Sequence, residues 1–297
     1  MGKLIVLNQQ NLIQDGTNSR FVYTFPNGGY VMKNDLIAVL SISQYFSTFN
    51  ISASLGNNKA SYDWVNTIEY FITFPDGYYS ISDINAYVQS VMYANGHYLT
   101  LNSAPTLPLY FINWSANTTR YAYQLDLKIM NTTIYPLGTY TNGVSTNGTA
   151  VWTRPTSTAA NCPQFVIFAN FNLLVGFAVG TYPTSQFQIS SQSFLSSVAP
   201  QILPQPVIFV YCSLVNNRAV IPNSLIYAYT PQGVAFGAIQ TYEPTSELAW
   251  CRVLDGNYNQ FVIELRDGAG QPITFQDPNT TFILYSKNIN EYGEVNI

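Results

Sequence analysis

The amino-acid sequence predicts an all-β protein, an antiparallel sandwich or barrel made of many short strands. Two strand patterns and a series of turns carry this prediction. The turns are Asp-Gly and Asn-Gly pairs, which adopt positive φ at low cost and often close hairpins. The Asp-Gly pairs begin at Asp15, Asp76, Asp255 and Asp267, and the Asn-Gly pairs at Asn27, Asn95, Asn142 and Asn147. Short strands separated by such turns are typical of antiparallel sandwiches and barrels.

Strands of two kinds lie between these turns. Residues 67–74, 124–129 and 261–266 alternate between polar and apolar side chains, which predicts strands with one wet face and one buried face. Residues 36–40 and 207–212 are apolar on both faces. We therefore expect these two strands to be covered on both sides.

One segment departs from the β pattern and predicts a helix from Ile81 to about Ala94. Ser80 can cap its N-terminus, and Asp83 at the third helical position completes a capping box. The apolar residues fall on one face at helical spacing: Ile81, Ile84, Val88, Val91 and Met92. A second, shorter helix is predicted around 171–177.

The chain is unusually poor in charge. Only 9% of its residues are charged, against roughly 25% in a typical soluble domain. Aromatic residues reach 15%, and no charged residue or histidine occurs between Arg154 and Arg218. Because solubility normally comes from interspersed surface charge, such a chain is expected to present much of its surface to other protein subunits.

The few charges also bear on nucleic acids and membranes. The net charge is −4, and the basic residues are scattered singly along the chain, which argues against direct contact with a phosphate backbone. The most apolar window, 165–180, is interrupted by Asn170 and Asn172 and is shorter than a spanning helix requires. We expect neither direct nucleic-acid contact nor a transmembrane segment.

Cysteine spacing indicates neither a zinc site nor a disulfide framework. Cys162, Cys212 and Cys251 lie far apart, and one would be left over from any disulfide. Buried reduced thiols are the simplest interpretation, and they suit a reducing compartment such as a cytoplasm.

Candidates for catalysis are few. His97 is the only histidine, and its place after an Asn-Gly pair predicts a structural or solvated role in a turn. A dyad of His97 with one of the cysteines remains open, although nothing near them in the sequence supports it.

Carboxylates offer no catalytic pair either. Glu243 and Glu247 are four residues apart, but Pro244 lies between them, which favours a solvated surface over a glycosidase pair. Asp255, Asp267 and Asp277 fit Asx turns better than calcium ligation. The sequence therefore predicts no catalytic, cofactor-binding or metal-binding residue, no cofactor and no enzymatic activity.

Several segments, taken in order, resemble the penton (vertex) capsid proteins of virophages and polinton-like viruses. They span most of the chain, and each is weak by itself, since a strand, an Asp-Gly turn or a capped helix recurs in many β proteins. The resembling segments are 35–51, 74–88, 173–177 with 180–183, 207–217, 264–277 and 282–285. The stretch from about His97 to Asn161 matches least well.

That resemblance implies a single jelly roll of two antiparallel sheets, one short helix at about 81–94 and a β-rich insertion. It assigns 1–96 and 162–297 to the jelly roll and 97–161 to the insertion. It further implies a homopentamer at each fivefold vertex of an icosahedral capsid, in contact with trimers of the double jelly-roll major capsid protein. The chain would then be a virion protein, assembled in the host cytoplasm.

Other functions remain open on the sequence. The same fold could serve as a minor capsid or cement protein or as the base of a spike. A carbohydrate-binding β-sandwich for host attachment, to a glycan or another receptor, would use exposed aromatic residues such as Trp114 and Trp152. On the capsid hypothesis, the uncharged run 155–217 is expected to supply core strands and much of the subunit interface.

Overall fold

The chain divides into two compact units. A computed structural model describes residues 2–65, 68–148, 151–156, 160–202, 206–231, 235–244 and 247–289. Unit 1 comprises Met1–Phe49 and Gln205–Ile297, and unit 2 comprises Asn50–Pro204. Unit 2 is therefore an insertion into unit 1.

The elements follow one another in three runs. The first half of unit 1 contains β1 (Lys3–Leu7), β2 (Arg20–Thr24), β3 (Tyr30–Met32) and β4 (Asp35–Tyr45), with 3-10 turns at Gln9–Asn11 and Pro26–Gly28. Unit 2 contains β5 (Lys59–Asp63), β6 (Glu69–Thr73), α1 (Ile81–Ala94), β7 (Leu99–Leu101), β8 (Ala104–Leu109), β9 (Ile112–Asn117), β10 (Ala122–Leu127), β11 (Tyr140–Asn142), β12 (Ala160–Asn161), β13 (Gln164–Ile167), α2 (Phe171–Val175), β14 (Gly180–Tyr182), β15 (Phe187–Gln188) and β16 (Gln192–Leu195). The second half of unit 1 contains β17 (Ile208–Cys212), β18 (Leu225–Tyr229), β19 (Ile239–Tyr242), β20 (Cys251–Arg252), β21 (Gly256–Tyr258), β22 (Gln260–Arg266) and β23 (Thr281–Asn288).

Unit 1 is a single jelly roll. One sheet has the strand order β1-β23-β4-β19, with β20 also pairing with β4, and the other has the order β18-β17-β22-β2. Every strand pair in both sheets is antiparallel. The eight strands of these two orders form the double Greek key of a jelly roll, and β20 is an additional ninth strand. The predicted fold class is confirmed.

The core of the jelly roll lies between the inner faces of its two sheets. Along β22 the alternate residues Phe261, Ile263 and Leu265 are at most 1% exposed, as the alternating sequence predicts. Phe21 on β2 and Phe282 on β23 meet edge to face, with ring centroids 5.1 Å apart. Such aromatic pairs add to the free energy of burial itself.

Unit 2 is also built of antiparallel sheets, packed around its own core. Its largest sheet has the order β14-β13-β5-β6, and smaller sheets have the orders β16-β10-β9, β11-β7-β8 and β12-β15. The pairing of β5 with β13 joins residues about a hundred positions apart, for example Ala60 with Ile167. This long-range pairing holds the two ends of the insertion in one body.

Helix α1 has the predicted bounds. Ser80 Oγ accepts a hydrogen bond from the Asp83 backbone N–H at 3.2 Å, and Asp83 Oδ2 accepts one from the Ser80 N–H at 2.9 Å. The predicted capping box is therefore present. The buried face of α1 carries Ile81, Ile84, Val88 and Met92.

The second predicted helix is present as α2 and stops at Gly176. This glycine has φ +75°, which an L side chain rarely adopts. A Cβ there would also lie 2.3 Å from the Val198 carbonyl oxygen. Both the backbone conformation and the close approach of Val198 require glycine at this position.

The division into units differs from the predicted boundaries. The predicted insertion, 97–161, lies inside unit 2, but 50–96 and 162–204 also belong to unit 2 rather than to the jelly roll. Strand β5 pairs with β13 on one side and with β6 on the other, so all three strands belong to the sheet of unit 2. The alternation of polar and apolar side chains determines which face of a strand is buried, but it does not determine which other strand pairs with it.

Candidate assembly surface

The outer face of the β1-β23-β4-β19 sheet is the first surface of interest. Along β1, Ile5 and Leu7 belong to the core, so the alternate residues Leu4 and Val6 lie on the outer face, 62% and 46% exposed. Tyr285 pairs with both Leu4 and Ala38, and Ile283 pairs with both Val6 and Ser41. These pairs form two rows across the sheet, which consist mainly of apolar side chains.

Further outer-face residues extend this surface toward both ends of the sheet. At one end Leu36 lies between Lys287 and Arg252, its partners on β23 and β20. At the other end Tyr45 pairs with Ile239, which is 58% exposed. We call the outer-face residues of this sheet the apolar face: Leu4, Val6, Leu36, Ala38, Leu40, Ser41, Ser43, Tyr45, Ile239, Thr241, Arg252, Thr281, Ile283, Tyr285 and Lys287.

Trp250 covers part of the apolar face. Its ring centroid lies 5.7 Å from that of Tyr285, and Lys287 Nζ lies 4.0 Å from its centroid. The lysine is thus held over an aromatic ring, which favours a cation. The apolar face contains no Asp or Glu, and its two cations lie together at one end.

Strand β4 shows why this surface is informative. Its apolar segment 36–40 was expected to be covered on both faces. Ile37 and Val39 are buried in the core, whereas Leu40 on the other side is 38% exposed. Contiguous exposed apolar side chains mark interaction sites on soluble proteins. Ala38 on this side is fully buried and Trp250 covers part of the face, so the exposed remainder, which includes Leu40, is the part available to a partner.

The outer face of the β18-β17-β22-β2 sheet is different in kind. Arg20 and Arg266 both bind Glu264; the Arg20 Nε to Glu264 Oε1 distance is 3.1 Å, and Arg266 Nε donates to Glu264 Oε2 at 3.0 Å. The Arg266 guanidinium lies 5.4 Å from the Tyr211 ring centroid. We call Arg20, Tyr211, Glu264 and Arg266 the charged face. Here each charged group has a partner within the chain.

His97 is buried in the core of unit 2. It is 2% exposed and stacks on Trp64, with ring centroids 4.3 Å apart. Asn95 Nδ2 donates to Tyr62 Oη at 3.0 Å, and Tyr62 Oη in turn lies within hydrogen-bond distance of His97 Nδ1, at 2.9 Å. Burial lowers the pKa of His97 to about 4. The histidine is therefore neutral and structural, as one alternative in the sequence analysis predicted.

The three cysteines are free and buried, as the sequence predicts. Burial raises the pKa of the Cys162 and Cys212 thiols to about 12, and also raises the pKa of Cys251. Reactive cysteines need a thiolate, which these environments disfavour.

The carboxylates are in turns or on the surface. Glu243 and Glu247 are exposed. Asp267 Oδ1 accepts hydrogen bonds from the backbone N–H groups of Ala269 and Gln271, and Asp277 Oδ1 accepts one from Asn279, as expected of Asx turns. Asp255 instead accepts from the Asn34 N–H, which is distant in sequence. Within the described ranges, no group of three His, Cys, Asp or Glu residues could hold a metal ion.

The two tryptophans proposed for glycan binding are not on the surface, so that assignment is wrong. Trp114 is 3% exposed and Trp152 is 7% exposed. Trp114 meets Phe165 and Phe177 edge to face, with ring centroids 5.2 Å and 5.3 Å away, and Trp152 packs against Trp64 at 5.0 Å. Aromatic composition indicates large contact areas, but it does not distinguish a core from a binding surface.

The predicted membrane-like window forms parts of β13, α2 and β14 instead of one long helix. In the part of the chain that the structure describes, no helix is long and apolar enough to cross a membrane.

The apolar face was not predicted from the sequence, and no site residue was. One signal could have done so: residues 4–7 are apolar at both odd and even positions, although β1 is the first strand of the sheet and pairs only with β23 among the described strands. A strand of this kind exposes apolar side chains wherever its second face has no cover.

The fold and its surfaces define a single jelly roll with a β-rich insertion and one apolar sheet face. In structure, the chain is similar to the mavirus penton protein, with a TM-score of 0.46, 9% sequence identity, and coverage of 96% of this chain and 97% of that one. It is also similar to a chain of the Sputnik virophage, with a TM-score of 0.41, 10% identity, and coverage of 99% of both chains. No protein-family model matches the sequence, and no curated protein matches it.

Proposed function

We propose that this chain is a structural capsid protein without catalytic activity, which assembles as a homopentamer. In this proposal the pentamer is the penton at the fivefold vertices of an icosahedral capsid, and it contacts trimers of a double jelly-roll major capsid protein. The observation that carries the proposal is the apolar face on one sheet of a single jelly roll, a fold that viral capsid domains use. Fold alone does not specify function, so the surface has the greater weight.

The apolar face fits a permanent contact between subunits. Leu4, Val6 and Ile239 are each about half exposed or more in the single chain, and their burial would drive association. Interfaces of permanent complexes are large and poor in charge at their centre. The absence of acidic residues from this face means that no carboxylate would be left unpaired when it is covered.

A ring of five copies needs a contact that closes by rotation, in which two different surfaces of the subunit meet. The apolar face would be one of them. The low charge of the whole chain supports this arrangement, because every copy in a capsid is surrounded by protein on several sides. Three reduced, buried cysteines are consistent with assembly in a reducing host cytoplasm and with a place in the virion.

Native mass spectrometry of the purified chain tests the oligomeric state. The proposal predicts a species of about 165 kDa, five times the chain mass of 33.1 kDa. A density map of purified particles would then show the chain at fivefold positions. A chain that stays monomeric at high concentration and is missing from purified particles would contradict the proposal, and a chain found elsewhere in the particle would indicate a cement or spike-base role.

A further inference from the structure

A cleft lies on the charged face of the jelly roll, over strands β2, β17 and β22. Its volume is about 330 Å³, which is within the range of clefts that hold small molecules. The lining comes from the three strands and from the connection between β17 and β18: Arg20, Tyr211, Ser213, Ser224, Val262 and Glu264. The cleft therefore combines an aromatic ring, an aliphatic side chain and several polar groups.

Many of these polar groups are not engaged by the protein itself. Arg20 binds Glu264 through Nε, and among the described residues its two terminal nitrogens have no hydrogen-bond partner. In the same part of the chain, the Tyr211 and Ser224 hydroxyls have none either. Ser213 Oγ accepts a hydrogen bond from a backbone N–H and keeps its own proton available. These groups can bind a ligand in exchange for water.

The cleft is largely pre-organised. Glu264 accepts a hydrogen bond from Arg266 Nε at 3.0 Å, and the Arg266 guanidinium lies 5.4 Å from the Tyr211 ring centroid. The Ser224 carbonyl accepts a hydrogen bond from the Cys212 N–H at 2.8 Å, which ties the segment before β18 to β17. A ligand would not have to order these elements, so the free-energy cost of binding is lower.

The charges around the cleft balance one another. Arg20 and Arg266 lie beside Glu264, and Asp15 lines an adjoining cleft together with all three. Because two guanidinium groups are balanced by two carboxylates, neither a phosphate nor a cation would gain a net electrostatic attraction. A wholly apolar ligand would leave the free donors of Arg20 and Tyr211 without partners. A neutral ligand rich in hydroxyl groups fits the cleft best.

We propose that this cleft binds one neutral pyranose unit of a glycan. A sugar ring carries neighbouring hydroxyl groups, which donate and accept hydrogen bonds, and a face of C–H groups that can pack on an aromatic ring. Arg20 would donate to two neighbouring sugar hydroxyls, and the hydroxyls of Tyr211, Ser213 and Ser224 would bond to others. The Tyr211 ring and Val262 would contact the C–H groups. The inference does not depend on whether the chain forms a ring of five.

Saturation-transfer difference NMR on the full chain tests the inference with four probes, the methyl pyranosides of glucose, galactose, mannose and N-acetylglucosamine. At least one of them should receive saturation from the protein. Arg20→Gln and Tyr211→Leu should each lower that signal at least about fivefold, because each removes direct contacts to the sugar.

Matched controls change the same residue types outside the cleft. Arg120→Gln and Tyr121→Leu replace exposed residues of unit 2 and should keep the signal within about twofold of the unaltered chain. Circular dichroism shows whether each variant folds. If Tyr211→Leu does not fold, Arg20→Gln decides the matter, since the Arg20 side chain is 46% exposed.

Three results would overturn the inference. The first is the absence of saturation transfer to all four glycosides. The second is transfer that survives both Arg20→Gln and Tyr211→Leu. The third is tighter binding of methyl glucuronide than of every neutral glycoside, with loss of that binding in Arg20→Gln, which would make the cleft an anion site. The mass of the oligomer is a separate readout, so failure here leaves the proposed function untouched.

Discussion

The two sheets of the jelly roll have similar inner faces and dissimilar outer ones. Inside, both contribute buried aliphatic and aromatic residues to one core. Outside, the β18-β17-β22-β2 sheet carries the charged face, where Arg20, Glu264 and Arg266 neutralise one another. The β1-β23-β4-β19 sheet carries the apolar face, with Leu4 and Val6 exposed and no carboxylate. In a chain with so few charges, this difference indicates that the apolar face is the surface available to a protein partner.

The largest effect is expected from placing charge on the apolar face. Leu4→Asp/Val6→Asp would bury two unpaired carboxylates at each contact between subunits, which is costly in free energy. The concentration at which the oligomer dissociates should rise at least about 100-fold, as measured by mass photometry across a dilution series.

Ile189→Asp is the matched control for that variant, because Ile189 is an exposed apolar residue in unit 2. It should leave the dissociation concentration within about twofold of the unaltered chain. Circular dichroism should show that both variants keep the β signal. An oligomer that resists Leu4→Asp/Val6→Asp would remove the apolar face from the interface.

A smaller effect is expected on the stability of unit 2 when the pH is lowered. The pKa of His97 is lowered to about 4 in the folded chain, from an ordinary value near 6.5. Between these values the unfolded chain takes up a proton that the native chain does not, so stability falls as the pH is lowered from about 6.5 to about 4. The loss at the acid end is about 3 kcal/mol. Burial also raises the pKa of Tyr62, the hydrogen-bond partner of His97, so Tyr62 stays neutral throughout this range.

Urea denaturation followed by tryptophan fluorescence measures this pH dependence, since Trp64, Trp114 and Trp152 all lie in unit 2. His97→Gln should have lower stability at pH 7 but little slope between pH 6.5 and 4. The apolar face has no acid or histidine, so the oligomer mass should be the same at pH 7 and pH 5. A slope that persists in His97→Gln would assign the pH dependence to other groups.

A substitution on the charged face should have a smaller effect than charge on the apolar face or acidification of unit 2. Glu264→Gln removes the partner of both Arg20 and Arg266, but all three side chains are partly exposed, between 24% and 46%. Exposed ion pairs contribute little, so the free energy of unfolding should fall by less than about 1 kcal/mol. The oligomer mass should not change. Loss of the oligomer in Glu264→Gln would show that the charged face, and not only the apolar face, is part of the contact between subunits.

The salt concentration should have the smallest effect on assembly. Because association through the apolar face depends on burial of apolar surface rather than on charge pairs, raising sodium chloride from about 0.05 M to about 0.5 M should change the dissociation concentration less than about twofold. Sedimentation velocity at the two salt concentrations provides the check. Dissociation on raising the salt would instead indicate a contact held by ion pairs.

Local signals in the sequence predicted local structure well. The bounds of α1 follow from Ser80, Asp83 and the spacing of the apolar residues, and all of these determinants lie within fifteen positions of one another. Strands β10, β17 and β22 were likewise visible as runs of alternating or apolar residues. Of the strand predicted at 67–74, the structure shows β6 at Glu69–Thr73, and Thr67 lies outside the described residues.

Pairing and burial were not predictable in the same way. Ala60 pairs with Ile167, about a hundred positions away, and the sequence of neither strand predicts this pairing. For this reason the insertion was assigned 97–161 instead of 50–204, and most of the uncharged run 155–217 proves to belong to unit 2. Its expected role in the subunit interface stays a prediction. Trp114 and Trp152 were wrongly assigned to an exposed glycan-binding surface for a related reason. The sequence around a tryptophan does not show which distant side chains will pack against it.

Hydroxyl-radical footprinting tests most directly whether the apolar face is covered by another copy of the chain. Protein would be labelled once when assembled at high concentration and once when diluted to single chains. Leu4, Val6 and Tyr285 should be modified several-fold more slowly in the assembly, while exposed Ile189 should react equally in both states. Equal modification rates for Leu4 and Val6 in the two states would contradict the account.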